Sequence, residues 1–112
     1  MKLSVTFRHM DTSEAIKQHV EDKLERLKKY FPDPVAAQVV LSTERYRHQI
    51  DVTITLTNGT AIKGKEVADD MYTAVDLVMD KIDRQIRRYK DKITSHRKNA
   101  EQELLVEPGD SD

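Results

Sequence analysis

The spacing of apolar residues switches between two and about three and a half along this chain, and the order of those switches admits few folds. Leu3, Val5 and Phe7 alternate with polar neighbours and read as a strand. Ile16, Val20, Leu24, Leu27 and Phe31 then follow at spacings of 4, 4, 3 and 4, one stripe of a helix that Thr12 or Ser13 can cap, with Glu14 in the first turn where the dipole favours an acid. Pro32 and Pro34 stop it. "VAAQVVLSTE" (35–44) is apolar enough for a central strand, "RYRH" (45–48) is a polar connection, and "QIDVTITLT" (49–57) turns Ile50, Val52, Ile54 and Leu56 inward. Asn58-Gly59 signals a hairpin. A two-residue loop would pair Ile54 with Lys63 and Val52 with Lys65, burying two lysines; a three-residue loop or bulge brings Ile62 and Gly64 inward and is the reading preferred here. The last element is a helix over 68–98 with its seam at Met71, Val75, Val78, Ile82, Ile86, Tyr89 and Ile93. At about 1.5 Å per residue it outreaches eight-residue strands of about 27 Å, so its C-terminal turns overhang the sheet.

The order β-α-β-β-β-α gives an α+β fold. A parallel first pair joined by a right-handed crossover, followed by a meander, puts two parallel helices on one face of a four-stranded sheet. The other face, with Thr53, Thr55 and Thr57 outward, stays open. One domain over 1–98 is expected, then an acidic tail over 99–112 expected to be disordered. With 38% hydrophobic and 35% charged residues the chain has an ordinary composition with a heavily solvated surface. It has no Cys, which excludes disulfides, thiolate metal sites and cysteine nucleophiles. No apolar run reaches the roughly 18 residues that span a bilayer, so cytoplasmic residence is the default expectation. His9, His19, His48 and His96 have no metal-ligand spacing, and no nucleophile elbow, phosphate loop or paired-carboxylate motif is present. Asp69-Asp70 sits at a helix start, where acids serve the dipole. Neither an enzyme nor a cofactor or metal is expected.

The charge is organised. All nineteen Lys and Arg precede residue 101, against fifteen acids there, so that part is +4, while 101–112 carries five acids and no base. "KIDRQIRRYKDKITSHRK" (81–98) alone holds eight Lys or Arg. On the second helix Lys81, Arg84, Arg88 and Lys92 make one stripe, with Asp69, Asp76, Asp80 and Asp83 in another sector. A right-handed crossover would turn the basic stripe toward the first helix, opposite Lys17 and Lys28, with His19, Lys23, Arg26 and Tyr30 on the outer edge. A basic stripe is more often a solvated face than a ligand site. Its density, its segregation from the acids and the overhang favour a phosphate partner, since clustered cations repel one another in the unliganded protein. With two Phe, four Tyr and no Trp, few stacking platforms exist for single strands, and structured RNA suits the surface better. Tyr72 and Tyr89, near the seam, read as core residues with a wet hydroxyl rather than as base-stacking groups.

Asp70-Met71-Tyr72, Ala74, Asp76, Asp80-Lys81 and Arg84-Gln85, with "SEAIKQHVEDKLERLKKYF", "VVLS" (39–42) and "TNG" before the last strand, closely resemble the bacterial family of ribosome hibernation-promoting factors and ribosome-associated inhibitor A over residues 1–98. The resemblance implies a fold similar to the double-stranded RNA-binding domain. It also implies binding to small-subunit ribosomal RNA in the decoding channel, which blocks mRNA and tRNA and silences ribosomes under stress or in stationary phase. The expected RNA-binding residues are Lys17, Lys23, Arg26, Lys28, Lys29, Lys81, Arg84, Arg87, Arg88, Lys90 and Lys92. The body matches short members that promote ribosome dimers; the tail of about a dozen residues is closer to the inhibitor type that opposes them. The partner expected is the ribosome, with no DNA or membrane, and the free protein a monomer. A protein–protein adaptor is the remaining alternative, separable by its weak salt dependence.

Overall fold

The computed structural model describes residues 2–30 and 34–105, with side chains described over 2–30 and 36–89. The elements are β1 (Lys2–Arg8), α1 (Glu14–Lys28), β2 (Pro34–Glu44), β3 (Arg47–Leu56), β4 (Ala61–Ala68) and α2 (Met71–Leu105). They form one sheet in the order β1-β2-β3-β4, parallel in its first pair and antiparallel in the others. Both helices cover the same face. Ile16, Val20, Leu24 and Leu27 of α1 and Met71, Val75, Val78, Ile82 and Ile86 of α2 close one core over Val39, Leu41, Ile50, Val52, Ile54 and Ile62. Leu3, Val5 and Phe7 pack against that core half-buried, because β1 is an edge strand.

Local chemistry explains the element ends. Ser13 caps α1, its hydroxyl accepting from the Ile16 N–H at 3.2 Å. Asp70 caps α2: its carboxylate accepts from the Thr73 N–H at 2.9 Å and from the Thr73 hydroxyl at 2.7 Å. The β3–β4 loop has the three residues Thr57-Asn58-Gly59, closed by the Leu56 N–H donating to the Thr60 carbonyl at 2.9 Å, with Gly59 at φ 91. Ile62 therefore faces Ile54 and Gly64 faces Val52, while Lys63 and Lys65 lie on the open face. The loop is tied to α2 by Asn58, whose side-chain amide donates to the Tyr89 hydroxyl at 2.8 Å.

Four expectations change. The β2–β3 connection is two residues, Arg45-Tyr46, because Glu44 already pairs with Arg47 and the strands run to the tip. Thr57 belongs to the β3–β4 loop and not to an outward strand face. Tyr72 is 46% exposed and meets His19 edge-on, so it lies outside the core. Helix α2 continues to Leu105, since no Gly or Pro interrupts 99–105 and the first breaker is Pro108. Residues 106–112 of the expected tail lie outside the described residues, as do Phe31 and the side chain of Ile93.

The hand of the crossover also differs. Lys81 donates to the Lys65 carbonyl of β4 at 3.2 Å, and Gln85 donates to that of Lys63, so α2 runs antiparallel to β4 and turns this flank toward the sheet edge. Its opposite flank, with Asp76 and Arg87, meets His19, Lys23 and Tyr30 of α1. A right-handed α-helix seen from its N-terminus advances clockwise. For α2 that order of flanks puts α1 on the side reached only by a left-handed β1-α1-β2 crossover, the uncommon hand.

Candidate nucleic-acid interface

The mirror-related hand exchanges the flanks that the two helices present to each other. The expected pairing of Lys81, Arg84, Arg88 and Lys92 against Lys17 and Lys28 is overturned. His19, Lys23 and Tyr30 face α2, and Tyr72, Asp76 and Arg87 face α1. The groove so formed is graded along its length. Toward the helix N-termini it is closed by polar contacts: the Asp76 carboxylate lies 2.8 Å from His19 Nε2 and 3.5 Å from Lys23 Nζ. Toward the C-termini an aromatic face takes over, with the Arg87 guanidinium 4.9 Å and the Lys29 ammonium 5.8 Å from the Tyr30 ring centroid. Arg87 also donates to Asp83 one turn earlier at 2.9 Å, and that hydrogen bond, followed by the charge of Asp83, raises its pKa further above the ordinary arginine value. It stays cationic at every physiological pH.

Arg26, Lys28, Lys29, Arg84, Arg87 and Arg88 are all exposed, and Lys17, Lys23 and Lys81 half-buried. Lys23, Lys81 and Arg87 are in ion pairs, Lys81 with Glu66 of β4 at 2.9 Å. The paired cations are partly neutralised, which concentrates uncompensated charge on Arg26 and Lys28 of α1, on Lys29 at its C-cap and on Arg84 of α2. Lys17 sits on the flank of α1 away from α2. The side chains of Lys90 and Lys92 lie outside the described residues. Two residues are more central than their sequence context suggested: Tyr30, which carries cations of both helices, and His19, which clamps the far end. Both lie in the stripe with Lys23 and Arg26 that the expected hand sends to the outer edge.

An exposed arrangement of guanidinium and ammonium groups on two adjoining helices has the chemistry to bind phosphates by charge and counterion release. Among the described residues no group of three or more His, Cys, Asp or Glu is placed to hold a metal, and no helix is long and apolar enough to cross a membrane.

The family model described as Sigma 54 modulation protein / S30EA ribosomal protein matches residues 3–94. A ribosome hibernation promoting factor from Salmonella typhimurium is 35% identical over 96 residues, covering 86% of this chain and 100% of that protein. A ribosome hibernation promotion factor from Lactococcus lactis is 36% identical over 104 residues, 89% of this chain but 55% of the longer protein. A ribosomal subunit interface protein from Coxiella burnetii has a similar structure, with TM-score 0.73 and 27% identity, covering 82% of this chain and 100% of that one.

Proposed function

The chain belongs to the Sigma 54 modulation protein / S30EA ribosomal protein family, and from that premise we propose that it is a ribosome hibernation factor. In this reading it binds ribosomal RNA of the small subunit in the decoding channel, keeps mRNA and tRNA out, and holds ribosomes inactive in the cytoplasm under stress or in stationary phase. The observation that carries it is the set of exposed cations on two adjoining helices, Arg26 near the end of α1 with Lys29 at its C-cap, and Arg84, Arg87 and Arg88 in the middle of α2. The helices place charge on two parallel ridges, and the sheet fixes the spacing between them through the shared core. Lys17, Lys23, Lys28, Lys81, Lys90 and Lys92 complete the proposed contact set. The graded groove gives the complex a polarity: phosphates approach the Tyr30–Arg87 end and are repelled at the other by Asp76 and Asp80.

Sucrose-gradient sedimentation with purified small subunits tests the reading. The parent protein should travel with the subunit, and a variant carrying Arg26→Glu, Arg84→Glu and Arg88→Glu should remain at the top. Co-sedimentation of the variant would remove the helix ridges as the contact. We further propose that the chain promotes ribosome dimers, as its match to the full length of the short hibernation promoting factor suggests. A ribosome profile from cells with and without the protein reads this directly. A dimer peak that grows when the protein is absent would favour the inhibitor type instead.

A further inference from the structure

We propose that the β2–β3 hairpin tip, Arg45-Tyr46-Arg47, is a second RNA contact in which Tyr46 stacks on an unpaired base. The proposal rests on the ribosomal reading above only for its class of partner. Three independent features of the tip point the same way. Tyr46 is 85% exposed, more than any other large apolar or aromatic side chain among the described residues. Burial against its own fold does not explain a tyrosine there. Arg45 holds φ 59, a left-handed conformation that glycine adopts freely and arginine does not. It is one of two described non-glycine residues with positive φ, the other being His9. A two-residue hairpin with positive φ at its first central position normally selects Gly there. An arginine kept at such a site is a backbone strain that the fold itself does not need.

The third feature is chemical. Arg45 and Arg47 are exposed and make no side-chain hydrogen bond or ion pair with any described residue. Two planar guanidinium groups flanking an exposed ring supply what an unpaired nucleotide presents: phosphates on either side of a stackable base. A protein partner would fit less well, because the tip offers a single ring with charge on both sides and no adjoining apolar patch.

The tip is also separated from the helix ridges. It lies at the start of β3, whereas Asn58, which holds Tyr89 beside Arg88, follows the end of β3. Ten strand residues at about 3.3 Å each put the two contacts roughly 30 Å apart. The protein would thus hold two RNA segments at once, through structured phosphates at one end and a splayed base at the other.

The test is fluorescence anisotropy with a labelled oligoadenylate of about twelve nucleotides, single-stranded or annealed to its complement. Tyr46→Ala should weaken single-strand binding by about five- to a hundredfold, the range for loss of one stacked base. Tyr46→Phe should stay within about twofold of the parent, and duplex binding should be unchanged in both. Arg45→Gly should melt at or above the parent temperature while losing affinity, which separates the guanidinium from the fold. Superimposed curves for Tyr46→Ala and the parent, or no binding of the single strand by the parent, would overturn the proposal; a tip that docks a protein gives the first result. The helix-ridge variant serves as the separate arm. If it leaves the subunit while Tyr46→Ala behaves as the parent, only the tip fails. If it still sediments while Tyr46→Ala loses the oligonucleotide, the helix reading fails and the tip stands.

Discussion

A methyl group built on Gly64 would sit 3.0 Å from the Ile82 side chain and 3.2 Å from that of Val78. Here α2 packs directly onto β4, and glycine is required for its lack of a Cβ. Gly64→Val should destabilise by about 1–3 kcal/mol through overpacking, read as a lower urea midpoint at unchanged slope. Asp70 works by hydrogen bonding. The Thr73 hydroxyl first, then the Thr73 backbone N–H, hold its carboxyl below the ordinary carboxylate range. Because the folded value lies below the unfolded one, the contribution is complete at neutral pH and is lost as pH falls through the folded value. Asp70→Ala should therefore melt below the parent at neutral pH, with the difference vanishing in strong acid; a gap that persists at about pH 2 would mean the cap acts without its charge. Both residues were readable in part. Gly64 had to face inward because the other register buries two lysines, whereas the role of Thr73 depends on a rotamer that spacing does not encode.

The helices show where sequence reading reaches its limit. Periodicity identified the buried seams of both helices, because burial depends only on which residues share a face. It is blind to the hand of the crossover, since one helical wheel packs equally well on a sheet or its mirror topology. The statistical preference for right-handed crossovers chose the wrong flank, and with it the wrong partners for Lys81. The C-terminus of α2 was misjudged because residues 99–105 contain no breaker. Ser13→Ala should lower stability by about 0.5–2 kcal/mol through loss of the α1 cap, measured by chemical denaturation. The flank assignment has its own consequence. Arg84→Gln, at an exposed position, should lower the salt slope of ribosome binding by about one, as loss of a phosphate contact does. Lys81→Gln, on the β4 flank and already paired with Glu66, should lower that slope by less than Arg84→Gln does.

At the scale of the molecule, a near-neutral total conceals an uneven distribution. The chain up to residue 100 carries +4, the last twelve residues carry five acids, and within the body the cations gather near the end of α1 and in the middle of α2. A stiff sheet under a shared core turns those sequence-distant charges into one surface. The proposed function requires that this surface hold the ribosome by charge. The most direct measurement is the affinity for purified small subunits between about 50 and 200 mM salt. Contact with about six phosphates should weaken binding roughly a thousandfold across that range, and the variant with Arg26→Glu, Arg84→Glu and Arg88→Glu should show a shallower slope. An affinity that barely changes with salt, or a variant whose slope matches the parent, would contradict it.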